Sequence, residues 1–228
     1  MRSILITGTD TGIGKTHVAG IIARLLSVNV LPCVPPAVPS DPVRVQVVKP
    51  VESGSGGGRP ADAPAAAGNW AESFTLFALP KPMAPLAAAA DAGIEISLTK
   101  LVAAVRALPE CDWRVIETAG GIAVPVDSCG SDWADFARSL KVDFVVCVVD
   151  DRLGAINQAR LVASYCRAKG ILSAGLWLNA AHANPEPEIA ASNRAGVANC
   201  SLPLWGESAF GKKNATHVSA PWLAGGAT

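Results

Sequence analysis

Gly8-Thr9-Asp10-Thr11-Gly12-Ile13-Gly14-Lys15-Thr16 stands between a short apolar run, Ile4-Leu5-Ile6, and a helical run from Val18 to Leu26. Strand, glycine-rich loop, Gly-Lys-Thr and helix, in that order, is the layout of a phosphate-binding loop. Backbone N–H groups of such a loop converge with those of the helix N-terminus on one concavity, which attracts an anion. Lys15 adds a positive charge on a flexible stem. The Thr16 hydroxyl is suited to ligate the Mg2+ that accompanies a nucleoside triphosphate. The rival reading is an ordinary glycine-rich turn opening a helix, and the strand before and helix after decide against it. The spacing departs from the common form, because the first glycine is Gly8 and position 9 is Thr9, so the loop is one residue longer.

Working outward, further apolar runs read as strands. Val43 to Val48 ends in Lys49-Pro50-Val51-Glu52-Ser53-Gly54, and Trp113 to Glu117 ends in Thr118-Ala119-Gly120-Gly121. Val142 to Val149 is almost continuously apolar, as a parallel strand covered on both faces should be. It leads into Asp150 to Asn157. Leu172 to Leu178 ends at Asn179, and Leu202 to Trp205 is a last short strand before a polar, loop-like tail. Between them lie helical stretches over 86–92, 98–108 (opened by Ser97), 132–140, a run closing near Lys169, and 185–195. Strands alternating with helices predict one α/β domain over residues 1–228: three layers, a mostly parallel doubly wound sheet with helices on both faces, of the P-loop type. The loop, Lys49, Glu117, Gly154 and Asn179 then fall at the carboxyl ends of strands, where open α/β sheets bind ligands. Val28 to Pro42, with prolines at 32, 35, 36, 39 and 42, reads as an irregular connection.

Composition excludes several classes. Nineteen basic and nineteen acidic residues cancel, which argues against a nucleic-acid binder or a basic membrane-surface protein. No apolar run is long enough to span a bilayer, and no cleavable signal is apparent. The six cysteines include no C-x-x-C pair and read as reduced thiols of a cytoplasmic protein. His17, His182 and His217 have no metal-ligand spacing.

Three side chains stand out singly. Lys49, alone, would pass for a solvated charge after a strand. Asp62, before an alanine-rich stretch, reads as a helix N-cap that is also a site residue. Glu117 is an acid at a strand tip backed by glycines, the place where P-loop enzymes keep a magnesium-directed carboxylate.

Taken together, the long Thr-Asp-Thr loop of 8–16, Lys49-Pro-Val-Glu-Ser-Gly54, Glu117-Thr-Ala-Gly-Gly121 and Leu153-Gly-Ala-Ile-Asn157 resemble dethiobiotin synthetases over nearly the whole chain. The resemblance implies an ATP-dependent enzyme that closes the ureido ring of dethiobiotin from 7,8-diaminononanoate and CO2. It implies that Gly12, Ile13, Gly14, Lys15, Thr16 and His17 form the ATP-phosphate loop and that Asn179 hydrogen-bonds adenine. It implies that Thr16, Asp62 and Glu117 ligate Mg2+. Thr11, Lys15 and Lys49 would serve the chemistry, with Thr11, Lys49 and Ser53 facing the diamine. Gly154, Ala155 and Asn157, from the neighbouring subunit of a homodimer, would bind the substrate carboxylate. A helix N-terminus suits that last role. Three departures stand: Thr118 where the family often has glycine, no proline in Gly206-Glu207-Ser208-Ala209 where it usually has Gly-x-x-Pro, and the long proline-rich connection.

Two rivals share parts of this pattern. A MinD/ParA-like switch ATPase typically carries a second lysine early in the loop, where this chain has Asp10 and Thr11, and often ends in a basic amphipathic helix. A cobyric-acid-type amidoligase carries a glutaminase domain for which this chain has no room.

Overall fold

The computed structural model describes residues 1–28, 42–58, 61–183 and 186–223. Most of the proline-rich connection lies outside the described residues. Eight strands form one sheet in the order β3-β2-β4-β1-β5-β6-β7-β8, with all pairings parallel except the last. They are β1 Arg2–Gly8, β2 Val45–Ser53, β3 Glu72–Leu79, β4 Trp113–Glu117, β5 Phe144–Asp150, β6 Ala174–Asn179, β7 Leu204–Ser208 and β8 Ala215–Val218. The helices are α1 Lys15–Ser27, α2 Asp62–Ala67, α3 Pro85–Asp91, α4 Leu98–Arg106, α5 Trp133–Leu140, α6 Ala155–Ala168 and α7 Pro187–Ala198.

Alternation along the central strands explains the three layers. Leu5 of β1 and Val145, Cys147 and Val149 of β5 join one apolar cluster, with Leu101 of α4, Phe136 of α5 and Val162 of α6. Ile4, Ile6, Val146 and Val148 point the other way, into a cluster with Val18 and Ile22 of α1 and Ala63 of α2. Successive side chains of a strand face opposite sides, so a run apolar at every position needs a cover on each. Two helices begin at side-chain caps of their own N-cap residues. Ser97 caps α4, and Asp132 with Asp135 forms a capping box on α5.

Several expectations need correction. β2 runs on through Lys49-Pro50 to Ser53, so Lys49 is inside the strand. Pro50 is tolerated because pairing with β4 stops at Val48↔Ile116, and the missing N–H breaks no ladder bond on that side. Lys49 therefore stands level with Glu117, still at the carboxyl edge. β3 was not foreseen. Its residues Glu72-Ser-Phe-Thr-Leu-Phe-Ala-Leu79 are half-exposed and weakly patterned, as an edge strand allows. The tail is not all loop, because β8 pairs antiparallel with β7. β1 sits between β4 and β5, where the chain turns from building one half of the sheet to building the other, and the crevice at that switch point opens above the phosphate-binding loop.

Candidate functional site

The loop 8–16 is held from both sides. Gly14 caps α1 with φ 87°, and a Cβ there would come within 2.2 Å of the Asn179 amide nitrogen. Only glycine meets both conditions. Ile13 is buried in the core, so it can face a ligand only through its backbone. Lys15 Nζ donates to the Asp10 carbonyl at 2.6 Å, across the mouth of the loop. Burial, then the neighbouring Lys49, lowers the Lys15 pKa to about 8.

Lys49, Glu117, Asp62 and Thr16 come from β2, β4, α2 and α1 and meet at one point. Lys49 Nζ lies 2.8 Å from Glu117 Oε1 and 2.8 Å from Asp62 Oδ2, and donates to the Thr118 carbonyl at 3.2 Å. Thr16 Oγ1 donates to Glu117 Oε1 at 2.9 Å. Glu117 Oε1 thus accepts from two donors, and an ammonium 2.8 Å from each of two acids favours the charged forms, so the resting pair is Lys49 ammonium with Glu117 carboxylate. Burial works against the charged form of each. For Lys49, the Glu117 and Asp62 charges outweigh it and hold the pKa above the ordinary lysine value. For Glu117, burial pushes the carboxyl up, against the pull of Lys49, whose ammonium has three acceptors around it.

Glu117 Oε2 is buried and has no hydrogen-bond partner. A buried, unpartnered carboxylate oxygen beside a hydroxyl and a second carboxylate is a hard-oxygen donor set short of its cation. Among the described residues no three acidic, histidine or cysteine side chains cluster as a complete metal cage. Two carboxylates and a hydroxyl fit Mg2+, which draws its remaining ligands from water and substrate phosphates.

These residues line a cavity of about 510 Å³ that also takes in Thr11 and Ser53. Its far wall is apolar, from Pro82, Met83, Pro85 and Val124. The sequence analysis assigns no role to that wall. A second cleft, of about 330 Å³, lies across the loop and shares Gly12 and Gly14 with the first. His17 and Asn179 line it with Phe210, Lys212 and Lys213. Gly154, Ala155 and Asn157 line neither: Gly154 and Asn157 at the start of α6 are exposed and Ala155 is buried.

Asp62 is not a helix cap. It is the first residue of α2, and its N–H donates at 3.0 Å to the carboxylate of Glu52, which does the capping from β2. Sequence reasoning missed Glu52, whose only signal was an acid inside the Lys49–Gly54 segment. Thr118 is absorbed without strain. Its hydroxyl donates to Thr7 of β1 at 3.1 Å, turning the branched side chain into the sheet and leaving its carbonyl on Lys49.

Residues 2–206 match the family model described as AAA domain. The ATP-dependent dethiobiotin synthetase of Anaeromyxobacter dehalogenans is 33% identical over 83% of this chain and 81% of its own length. That of Xanthomonas euvesicatoria is 37% identical over 88% of each. A ParA family ATPase from Chlorobium tepidum superposes with a TM-score of 0.55 at 14% identity, covering 92% of this chain and 85% of that one, a likeness of fold alone.

Proposed function

This chain belongs to the dethiobiotin synthetases, ATP-dependent ligases of biotin synthesis, and from that membership we propose that it carboxylates 7,8-diaminononanoate with CO2 and closes the ring to dethiobiotin, releasing ADP and phosphate. One substrate amine adds to CO2 to give a carbamate. A carbamate oxygen takes the γ-phosphoryl group of ATP, giving a carbamic-phosphoric anhydride. The second amine attacks that carbonyl, phosphate leaves, and the five-membered ring closes. Little covalent work falls to the protein, which must align the partners and neutralise accumulating negative charge.

The observation that carries this reading is the single cavity holding Lys15, Lys49, Thr11 and Ser53 against an apolar wall. The Lys49 ammonium is placed to balance the carbamate and the moving phosphoryl group, Lys15 to hold the phosphates, and the Thr11 and Ser53 hydroxyls to orient the diamine. Met83 and Val124 suit the methylene chain. Mg2+, held by the Thr16 hydroxyl, Asp62 and Glu117, would add positive charge at the phosphate oxygens. The second cleft, reached over Gly12 and Gly14, suits the base, with Asn179 and His17 at its wall. Gly154 and Asn157, solvent-facing and outside both cavities, suit a substrate carboxylate bound across a homodimer interface, Ala155 completing the helix start. Among the described residues no helix is long and apolar enough to cross a membrane, and we place the enzyme in the cytoplasm, where its ATP is.

A switch ATPase shares the fold, but Lys49 and its two carboxylates give this cavity a cation that phosphate binding alone does not need. The test is phosphate release by the purified protein with Mg2+, ATP and bicarbonate, with and without the diamine. Release that depends on the diamine, with a product of dethiobiotin mass, is expected. Hydrolysis indifferent to the diamine, with no new product, would overturn the reading.

A further inference from the structure

We infer that Ser208 is a specificity-determining positioning residue: it locks the Asn179 amide in the one orientation that reads adenine rather than guanine. The inference rests on the assignment of the second cleft to the nucleotide base.

Four hydrogen-bonding groups form a line from the core to the phosphate-binding loop. Trp177 Nε1 donates to Ser208 Oγ at 3.0 Å, Ser208 Oγ donates to Asn179 Oδ1 at 2.6 Å, and Asn179 Nδ2 donates to the Ile13 carbonyl at 2.8 Å. Trp177, Ser208 and Asn179 are all buried. The polarity of this line follows from its ends. An indole N–H can only donate, and a backbone carbonyl can only accept. The Ile13 carbonyl takes the amide nitrogen, which leaves Asn179 Oδ1 facing Ser208, so the Ser208 hydroxyl, accepting from Trp177, turns its proton to Asn179. That fixes which end of the amide is oxygen.

Asn179 has capacity left over. Its oxygen has a second acceptor position and its nitrogen a second hydrogen. An adjacent donor and acceptor is what a side-chain amide offers adenine, which presents the N6 donor beside the N7 acceptor. Guanine presents two acceptors, O6 and N7, and leaves the amide oxygen unmatched. If the amide could turn over, its donor and acceptor would exchange places and the register with N6 and N7 would be lost. Ser208 prevents the turn from one side and Ile13 from the other. The Asn179 nitrogen also packs where a Cβ of Gly14 would be, so the same side chain braces the loop. Ser208 lies in the Gly206–Ala209 segment, where the chain departs from its family's Gly-x-x-Pro.

The experiment compares ATP with GTP, by calorimetric affinity in the presence of Mg2+ and by steady-state kinetics, for the wild type and Ser208→Ala. Expected is a loss of ATP affinity, and a rise in its KM, of about five- to tenfold, the worth of one hydrogen bond. GTP affinity should move far less and kcat should fall less than the KM rises, so discrimination between the bases narrows. Ser208→Thr, which keeps the hydroxyl, should restore it. If Ser208→Ala does not fold, Ser208→Cys, a weaker donor, carries the same comparison. Equal loss for both nucleotides, or no narrowing, would overturn the inference, as would a wild type that binds ATP and GTP alike. Failure of diamine-dependent turnover, with ATP preference intact and sensitive to Ser208, would sink the proposed reaction and leave this inference standing.

Discussion

Lys49 Nζ and Glu117 Oε1 stand 2.8 Å apart, almost wholly buried, with Glu117 at the carboxyl end of β4 and Lys49 beside it inside β2. The same Glu117 oxygen accepts the Thr16 hydroxyl at the start of α1. One carboxylate thus ties the residue that would balance the carbamate to the residue that would ligate the metal.

Lys49→Ala should cut turnover by about a hundredfold or more, since its charge matters most where negative charge accumulates. The KM for ATP should change by less than about threefold, because ground-state binding falls to the loop. Removing the ammonium also leaves Glu117 and Asp62 facing each other unpaired, so the melting temperature should drop in the absence of Mg2+. Equal, small effects on kcat and KM would remove Lys49 from the chemistry.

Lys15 should make nucleotide binding sensitive to pH. Its pKa in the free protein is lowered to about 8, first by burial and then by Lys49. Phosphate binds the ammonium form, so ATP affinity should be flat below that value and weaken above it, by up to about tenfold per unit. Lys15→Arg should remove this slope, because a guanidinium keeps its charge across the range. Stability of the free protein runs the other way. Between about 8 and the ordinary lysine value of 10.5, the unfolded chain holds a proton that the folded chain has lost, so stability rises with pH. Lys15→Met should therefore melt higher than wild type at pH 7 and lose that advantage at pH 10. A wild-type affinity unchanged from pH 7 to 9.5 would contradict this account.

Glu52 positions Asp62, one of the two carboxylates proposed to hold Mg2+, without lining the cavity itself. Its Oε1 accepts the Asp62 N–H that opens α2. Glu52→Ala should raise the Mg2+ concentration needed for half-maximal activity by about tenfold, the scale on which groups behind a ligand act. Glu52→Gln, which keeps an acceptor oxygen, should recover most of it. A Mg2+ titration of the two variants distinguishes this from a general loss of stability, which would move kcat and melting temperature together and leave the Mg2+ midpoint in place.

What the sequence made legible and what it hid divide along physical lines. The loop 8–16, Glu117 and Asn179 were readable because each directly follows or ends an apolar run, and a run apolar at every position announces a strand buried on both faces. β3 was hidden because an edge strand needs only one good face, and Glu72-Ser-Phe-Thr-Leu-Phe-Ala-Leu79 mixes polar and apolar residues without a clean period. Lys49 looked like a strand end because Pro50 looked like a stop, and only the register with β4 reveals that its missing N–H breaks no pairing there. Glu52 and Ser208 were invisible for another reason. Each acts on a residue distant in sequence, Asp62 and Asn179, and no local pattern marks a hydrogen bond across the fold.

The exposed start of α6 leads to a prediction about the assembly. Gly154 and Asn157 line neither cavity of their own chain, so if they bind substrate they do so for a neighbour. Lys49→Ala and Asn157→Ala should each be nearly inactive alone. In a homodimer whose sites are each built from both chains, a mixed dimer has one site carrying both lesions and one carrying neither. Random exchange of equal amounts makes half the dimers mixed, so activity should return to about a quarter of the wild-type level. Sites built within one chain would give each subunit of the mixed dimer a lesion, and mixing would restore nothing. Subunit exchange under mild denaturation, followed by the diamine-dependent phosphate assay and sedimentation to verify the dimer, reads the difference directly.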